Sequence, residues 1–207
     1  MPAKVNEREY RMIAEGAIEI REAEDGKQIV EGYATTFDDE YTLYSYGDYE
    51  VRESFDRHAF DETDMGDVIM QYDHQGRVFA RKSNGTLQVA ADDHGLKIRA
   101  ELSGTEIGRE LYEEIKGGYT TKMSIGFVVK SQERTEEEND GKLIVHRKIT
   151  GVKKLYDVSC VSLPANDATE ISSRSFGEGV IAEIQQEMRA RAAREEAKNR
   201  IRLLLEL

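Results

Sequence analysis

Apolar side chains recur at every second position through most of this chain, and that period, broken by short polar turns, commits it to strands. Ala17-Ile18-Glu19-Ile20-Arg21-Glu22 and Ile29-Val30-Glu31-Gly32-Tyr33-Ala34 alternate on either side of the turn Glu24-Asp25-Gly26-Lys27, the pattern of a hairpin. Residues 86–90 and 96–102 repeat it around Asp92-Asp93-His94-Gly95. Further strands are expected over 67–72, 120–130, 143–149 and 152–163. Residues 41–51 are Tyr-rich and read as strand or irregular loop, 54–60 as a short helix, and the acidic 133–141 as a solvated loop. A helical period appears at Ile107, Leu111 and Ile115, with Ser103 or Thr105 as the cap and Gly117-Gly118 as the stop. The sum is an α+β, strand-dominated domain: a barrel or curled sheet with flanking helices.

Residues 1–14 are polar and read as a flexible N-terminal segment, ahead of a main domain over 15–171. Residues 172–179 read as a linker. Beyond it the pattern changes to a C-terminal helical tail, 180–207, with a broken stripe of Ile181, Ile184, Met188, Ala192, Ile201 and Leu204. The net charge of −12 argues against a general nucleic-acid binder. No apolar run is long enough to span a membrane, and the N-terminus has no signal-peptide core. Cys160 is the one cysteine, so an internal disulfide is impossible; in its apolar run it reads as a buried residue.

Three residues on different segments carry the chemical types that turn a hydroxyl into a nucleophile. In Met123-Ser124-Ile125-Gly126-Phe127 the large side chains share one strand face, which leaves Ser124 and Gly126 on the other. That places a hydroxyl outward on a rigid element, with open space beside it; a solvent-facing serine next to a bulge is the plainer alternative. His74 ends a strand and begins a polar turn, where a base is fixed yet reachable. His58, His94 and His146 compete with it, His146 in mid-strand most credibly. Asp157 lies on a strand running into Cys160-Val161, where a half-buried carboxylate requires a partner: an imidazole, a backbone N–H or an arginine. Asp73-His74 with Asp92-Asp93-His94 matches no metal-ligand spacing, Asp-Asp-X-Gly being ordinary turn chemistry, and Gly117-Gly118 lacks the spacing and lysine of a phosphate loop.

Taken together, these segments resemble the prohead (procapsid maturation) serine proteases of tailed phages, relatives of the herpesvirus assemblins. The resemblance runs from about residue 31 to 174. It is carried by Glu31-Gly32-Tyr33-Ala34, Val51-Arg52-Glu53-Ser54-Phe55, Tyr72-Asp73-His74 with Gly76-Arg77, Asp93-His94-Gly95-Leu96, and Ile115-Lys116-Gly117-Gly118. Most specific are Ser124-Ile125-Gly126-Phe127 and, after Asp157-Val158-Ser159, Pro164-Ala165-Asn166. It implies a herpesvirus-protease-like β-barrel, Ser124 as nucleophile and His74 as base. Relatives commonly carry Glu at the position of Asp157; Asp is one methylene shorter, so its strand must approach His74 more closely. The herpesvirus analogy points to the backbone N–H groups of Ala165 and Asn166 as the oxyanion hole. The implied activity is cleavage of scaffold protein, of the scaffolding segment of the major capsid protein, and of the protease itself, without cofactor or metal. The implied setting is the procapsid in the host cytoplasm, or the bacterial cytoplasm for a prophage-encoded protein. The implied assembly is a homodimer or higher homo-oligomer, with no nucleic-acid or membrane partner. The competing reading is a non-catalytic capsid or tail assembly protein on the same barrel.

Overall fold

The computed structural model describes residues 8–13, 18–22, 26–161 and, in the tail, 186, 189–194, 196–198, 200 and 202. Two sheets make the fold. The smaller runs β2-β3-β9-β8, with β2 (Glu19–Glu22), β3 (Gln28–Thr36), β8 (Leu87–Ala91) and β9 (Gly95–Glu101). Its outer pairs are the two hairpins expected from the alternation, both antiparallel. The larger sheet runs β1-β10-β11-β5-β4, with β1 (Glu9–Ile13), β4 (Tyr41–Tyr46), β5 (Tyr49–Phe55), β10 (Lys122–Asn139) and β11 (Lys142–Val161). The β6–β7 hairpin (Ile69–Tyr72, Gln75–Arg81) joins it through β6 on β11.

β11, 20 residues long, organises this sheet. It pairs with β10 along its length, with β5 over Leu143–Ile149 and with β6 over Asp157–Cys160, the last two in parallel. The core lies between the sheets: Val30, Ala34, Leu96 and Ile98 meet Phe55, Met70, Met123, Ile125, Phe127 and Ile149 in one buried cluster. Each large apolar side chain so buried contributes about 1.5–3 kcal/mol. α1 (Glu106–Lys116) closes the cluster with Leu111, Tyr112 and Ile115; Thr105 Oγ1 accepts from Gly108 N–H as its N-cap, and Gly117 ends it.

Four expectations are corrected. The sheets stay open: β1 and β4 end one path and β2 and β8 the other, so no closed barrel forms among the described residues. Alternation reports buried faces, and two packed sheets satisfy it as well as a barrel does. Glu9–Ile13, expected within a flexible segment, is an edge strand on β10. The helix expected over 54–60 is the end of β5 followed by turns, in which Asp56 Oδ1 accepts from His58 N–H at 2.9 Å. The acidic 133–141 stretch is not a loop: β10 continues through it to a two-residue turn at Asp140-Gly141, both at positive φ (50° and 78°), the hairpin geometry Asp-Gly favours. The described tail residues are helical and exposed. The linker 172–179 and the stripe positions 181, 184, 188, 201 and 204 lie outside the described residues. No helix among the described residues is long and apolar enough to cross a membrane.

Candidate active site

Tyr72 and Gln75 pair across the β6–β7 hairpin, so Asp73 and His74 alone make its turn. Both have left-handed backbone, φ 47° and 59°. A two-residue hairpin turn of this kind needs that geometry, which outside glycine costs on the order of 1–2 kcal/mol per residue. The surroundings hold it. Asp73 N–H donates to Cys160 O at 2.9 Å, and β6 lies in register on β11 with Ile69 opposite Asp157 and Tyr72 opposite Cys160. The general-base candidate therefore rides on a strained turn locked to the strand that carries the carboxylate.

Ser124 pairs with Ser159, and Gly126 with Asp157. Ser124 and Asp157 thus share a face of neighbouring strands, offset by two residues, a diagonal of roughly 7–8 Å. The imidazole of His74 spans it: Nδ1 is 2.6 Å from Asp157 Oδ1 and Nε2 is 2.5 Å from Ser124 Oγ. The shorter Asp reaches the ring without difficulty. Beside it the register shifts between Gly126 and Phe127, leaving Tyr156 as the extra residue of a bulge that re-aims the strand.

Asp157 has a fully buried side chain. Its carboxylate accepts from Ser159 Oγ at 2.6 Å and from His74, and forms an ion pair with the Arg8 guanidinium. Burial pushes the carboxyl up, but the hydrogen bond and charge of His74, the bond from Ser159 and the charge of Arg8 outweigh it and hold it below the ordinary carboxylate range. Asp157 is thus ionised at neutral pH and fixes the ring through Nδ1, which leaves Nε2 for the hydroxyl. The Tyr10 ring packs on the imidazole, centroids 4.3 Å apart.

Two local expectations change. Ser124 is not solvent-facing: it is 3% exposed, and its hydroxyl also reaches the Arg11 carbonyl of β1 at 2.9 Å. The space beside Gly126 is not open. A Cβ there would collide with Asp157 Oδ2 and come within 2.9 Å of Arg8 Nε. Glycine at 126 makes room for the carboxylate.

The other histidines are engaged elsewhere. His146 bonds Glu40 at 2.7 Å, which raises its pKa; His58 bonds Asp61 at 3.0 Å; His94 lies edge-on to Tyr33. Cys160 is buried, which pushes its thiol up to about 12, the behaviour of a core residue. Ala165 and Asn166 lie outside the described residues. Arg8, Tyr10 and Ser159 escaped the sequence reading. Ser159 was detectable as the same-face neighbour of Asp157; nothing local marks Arg8 or Tyr10.

A family model described as caudovirus prohead serine protease matches residues 16–181. The chain belongs to that family. His74, Ser124 and Asp157 all fall inside the span matched to the prohead serine proteases. Among solved structures, the chain is similar to the bacteriophage T4 capsid assembly protease, gp21, at 14% identity and a TM-score of 0.45, covering 77% of this chain and 100% of that one. No curated protein matches.

Proposed function

We propose that this chain is a serine endopeptidase of procapsid maturation, with Ser124 as nucleophile, His74 as general base and Asp157 as the group that orients it. One observation carries the reading: an unbroken hydrogen-bonded path from Asp157 through His74 to Ser124, 2.6 and 2.5 Å long. Ser124 Oγ attacks the scissile carbonyl carbon as its proton passes to His74 Nε2. The ionised Asp157 stabilises the imidazolium. The imidazolium then gives the proton to the leaving amine, and water, activated by the same ring, releases the acyl group from Ser124. By motif kinship with the assemblins, the N–H groups of Ala165 and Asn166 hold the oxyanion; such a donor contributes about 2.7–4 kcal/mol.

The substrates are the scaffold protein or the scaffolding segment of the major capsid protein, and the protease itself. The setting is the procapsid in the host cytoplasm, and the working form is a homodimer or larger homo-oligomer. A non-catalytic assembly role offers no reason to bury an aspartate against an imidazole that reaches a serine. The test is intact-mass spectrometry of the concentrated protein, alone and co-expressed with its major capsid protein, beside Ser124→Ala. Fragments from the wild type alone are expected. Equal fragmentation in both removes Ser124 as the nucleophile.

A further inference from the structure

The Asp157 carboxylate carries more donors than the proton relay uses. Its Oδ1 accepts from His74 Nδ1 at 2.6 Å and from Ser159 Oγ at 2.6 Å, while Oδ2 meets the Arg8 guanidinium. Ser159 is 0% exposed. It sits in mid-ladder, with Ser124 opposite it on β10 and Gln71 opposite it on β6. Residues two apart on a strand share a face but stand roughly 6.5–7 Å apart along it. The short contact between Asp157 and Ser159 therefore requires both side chains to lean together. A serine hydroxyl has one proton to donate. Ser159 gives its proton to the carboxylate, and His74 Nε2 is turned to Ser124, so Ser159 has no path to the base as a rival nucleophile.

We infer that Ser159 is a positioning residue of the proteolytic site, whose hydroxyl fixes the rotation of the Asp157 carboxylate so that Oδ1 meets His74 Nδ1; the inference rests on the serine-protease reading above. The terminal torsion of an aspartate is broad, so the carboxylate turns unless its oxygens are held. Arg8 holds Oδ2, but its side chain is long and 32% exposed, with much rotamer freedom to lose. Ser159 places its oxygen with a single torsion and is rooted in β11 itself, between two paired strands. It is the rigid member of the pair. Neighbouring strands offer no substitute: at the register of Asp157, β10 presents Gly126 and β6 presents Ile69. The charged groups facing the carboxylate are His74 and Arg8. As a donor, Ser159 also favours the ionised carboxylate, and with it the state in which the ring keeps its Nδ1 proton. With Ser159 removed, Oδ1 turns away and the ring admits the tautomer protonated at Nε2, which cannot take the Ser124 proton.

The test is a double-mutant cycle in the full chain, Ser159→Ala with Asp157→Ala. The first readout is the rate at which a fluorophosphonate labels Ser124, with Ser124→Ala as the blank. Ser159→Ala should slow labelling about tenfold when Asp157 is present. Beside Asp157→Ala it should cost less than about twofold, because the group it positions is gone. Ser159→Thr keeps the hydroxyl and should restore labelling. The second readout does not depend on the nucleophile: nitrogen-15 NMR of the His74 ring, assigned by its loss in His74→Ala. The wild type and Ser159→Thr should show the Nδ1–H tautomer, and Ser159→Ala a mixture with Nε2–H. Three results overturn the inference: equal slowing by Ser159→Ala in both backgrounds, which would mark a general packing role; a Ser159→Thr protein as slow as Ser159→Ala at unchanged melting temperature; or a His74 ring that stays Nδ1–H in Ser159→Ala. A wild type that takes no label, with a ring tautomer that still responds to Ser159, would sink the serine-protease reading and leave the coupling of Ser159 to His74 standing.

Discussion

β10 and β11 form one antiparallel ladder with two unlike halves. Toward Lys122 and Val161, β10 is buried from Met123 to Val128 and faces an equally buried stretch of β11. From Lys130 to Asn139, β10 is exposed throughout, while β11 leans on β5 through a small cluster of Tyr49, Val51 and Val145. Register shifts between Gly126 and Gln132 separate the halves. The hydrogen-bond pattern is shared, so the ladder itself does not make a site. What differs is cover. In the buried half an aspartate had to find His74, Ser159 and Arg8 to be tolerated, and that obligation assembles the chemistry. In the exposed half acidic residues meet water and surface ion pairs, Glu136 with Arg134 at 3.0 Å and Glu137 with His146 at 3.5 Å, which contribute little.

Substitutions can break this contrast. Ser124→Ala should cost roughly 10⁴–10⁶-fold in peptide hydrolysis, measured on a substrate cleaved by the wild type, with the melting temperature nearly unchanged. Asp157→Asn should cost about 10⁴-fold by allowing the wrong imidazole tautomer. Gly126→Ala should lower stability by about 1–3 kcal/mol in denaturant titration and reduce turnover with it, since the new methyl displaces the Asp157 carboxylate. At the small end, Glu136→Ala and Glu138→Ala should each leave stability within about 0.5 kcal/mol and turnover intact. An equal loss from either half would refute the contrast.

Acid sharpens the same point. Asp157 and Glu53 are held below their ordinary values in the folded chain. The unfolded chain therefore takes up protons first as pH falls, and folding loses the contribution of both. That contribution is complete above the ordinary carboxylate range, about pH 4, and drains away below it. Melting temperature should fall steeply on acidification in the wild type and less steeply in Asp157→Asn.

Much of this was legible in the chain because period and turn chemistry are local. The two hairpins, and the helix between Thr105 and Gly117, need only neighbouring residues to specify them. The 133–141 stretch misled because an acidic run outweighed the Asp140-Gly141 turn, and pairing with β11 overrode both solvation and propensity. The site divided the same way. Ser124 and its glycine stand in one pentapeptide, and His74 within the polar run that makes its turn. That Gly126 exists for Asp157, that Arg8 reaches the same carboxylate and that β1 covers the serine are relations between residues far apart in sequence, to which no local pattern points.

That remoteness governs when a nascent chain becomes dangerous to its surroundings. His74 lies 50 residues from Ser124 and 83 from Asp157, and the strand carrying the aspartate must complete its parallel pairing with β6 before the ring has anything to lean on. Parallel, long-range pairings are slow to form. On the proposed assignment, synthesis delivers the base first, the nucleophile next and the orienting acid last, so the three side chains are together only once the strand carrying Asp157 has been made. Peptidase activity in this architecture is a late product of folding.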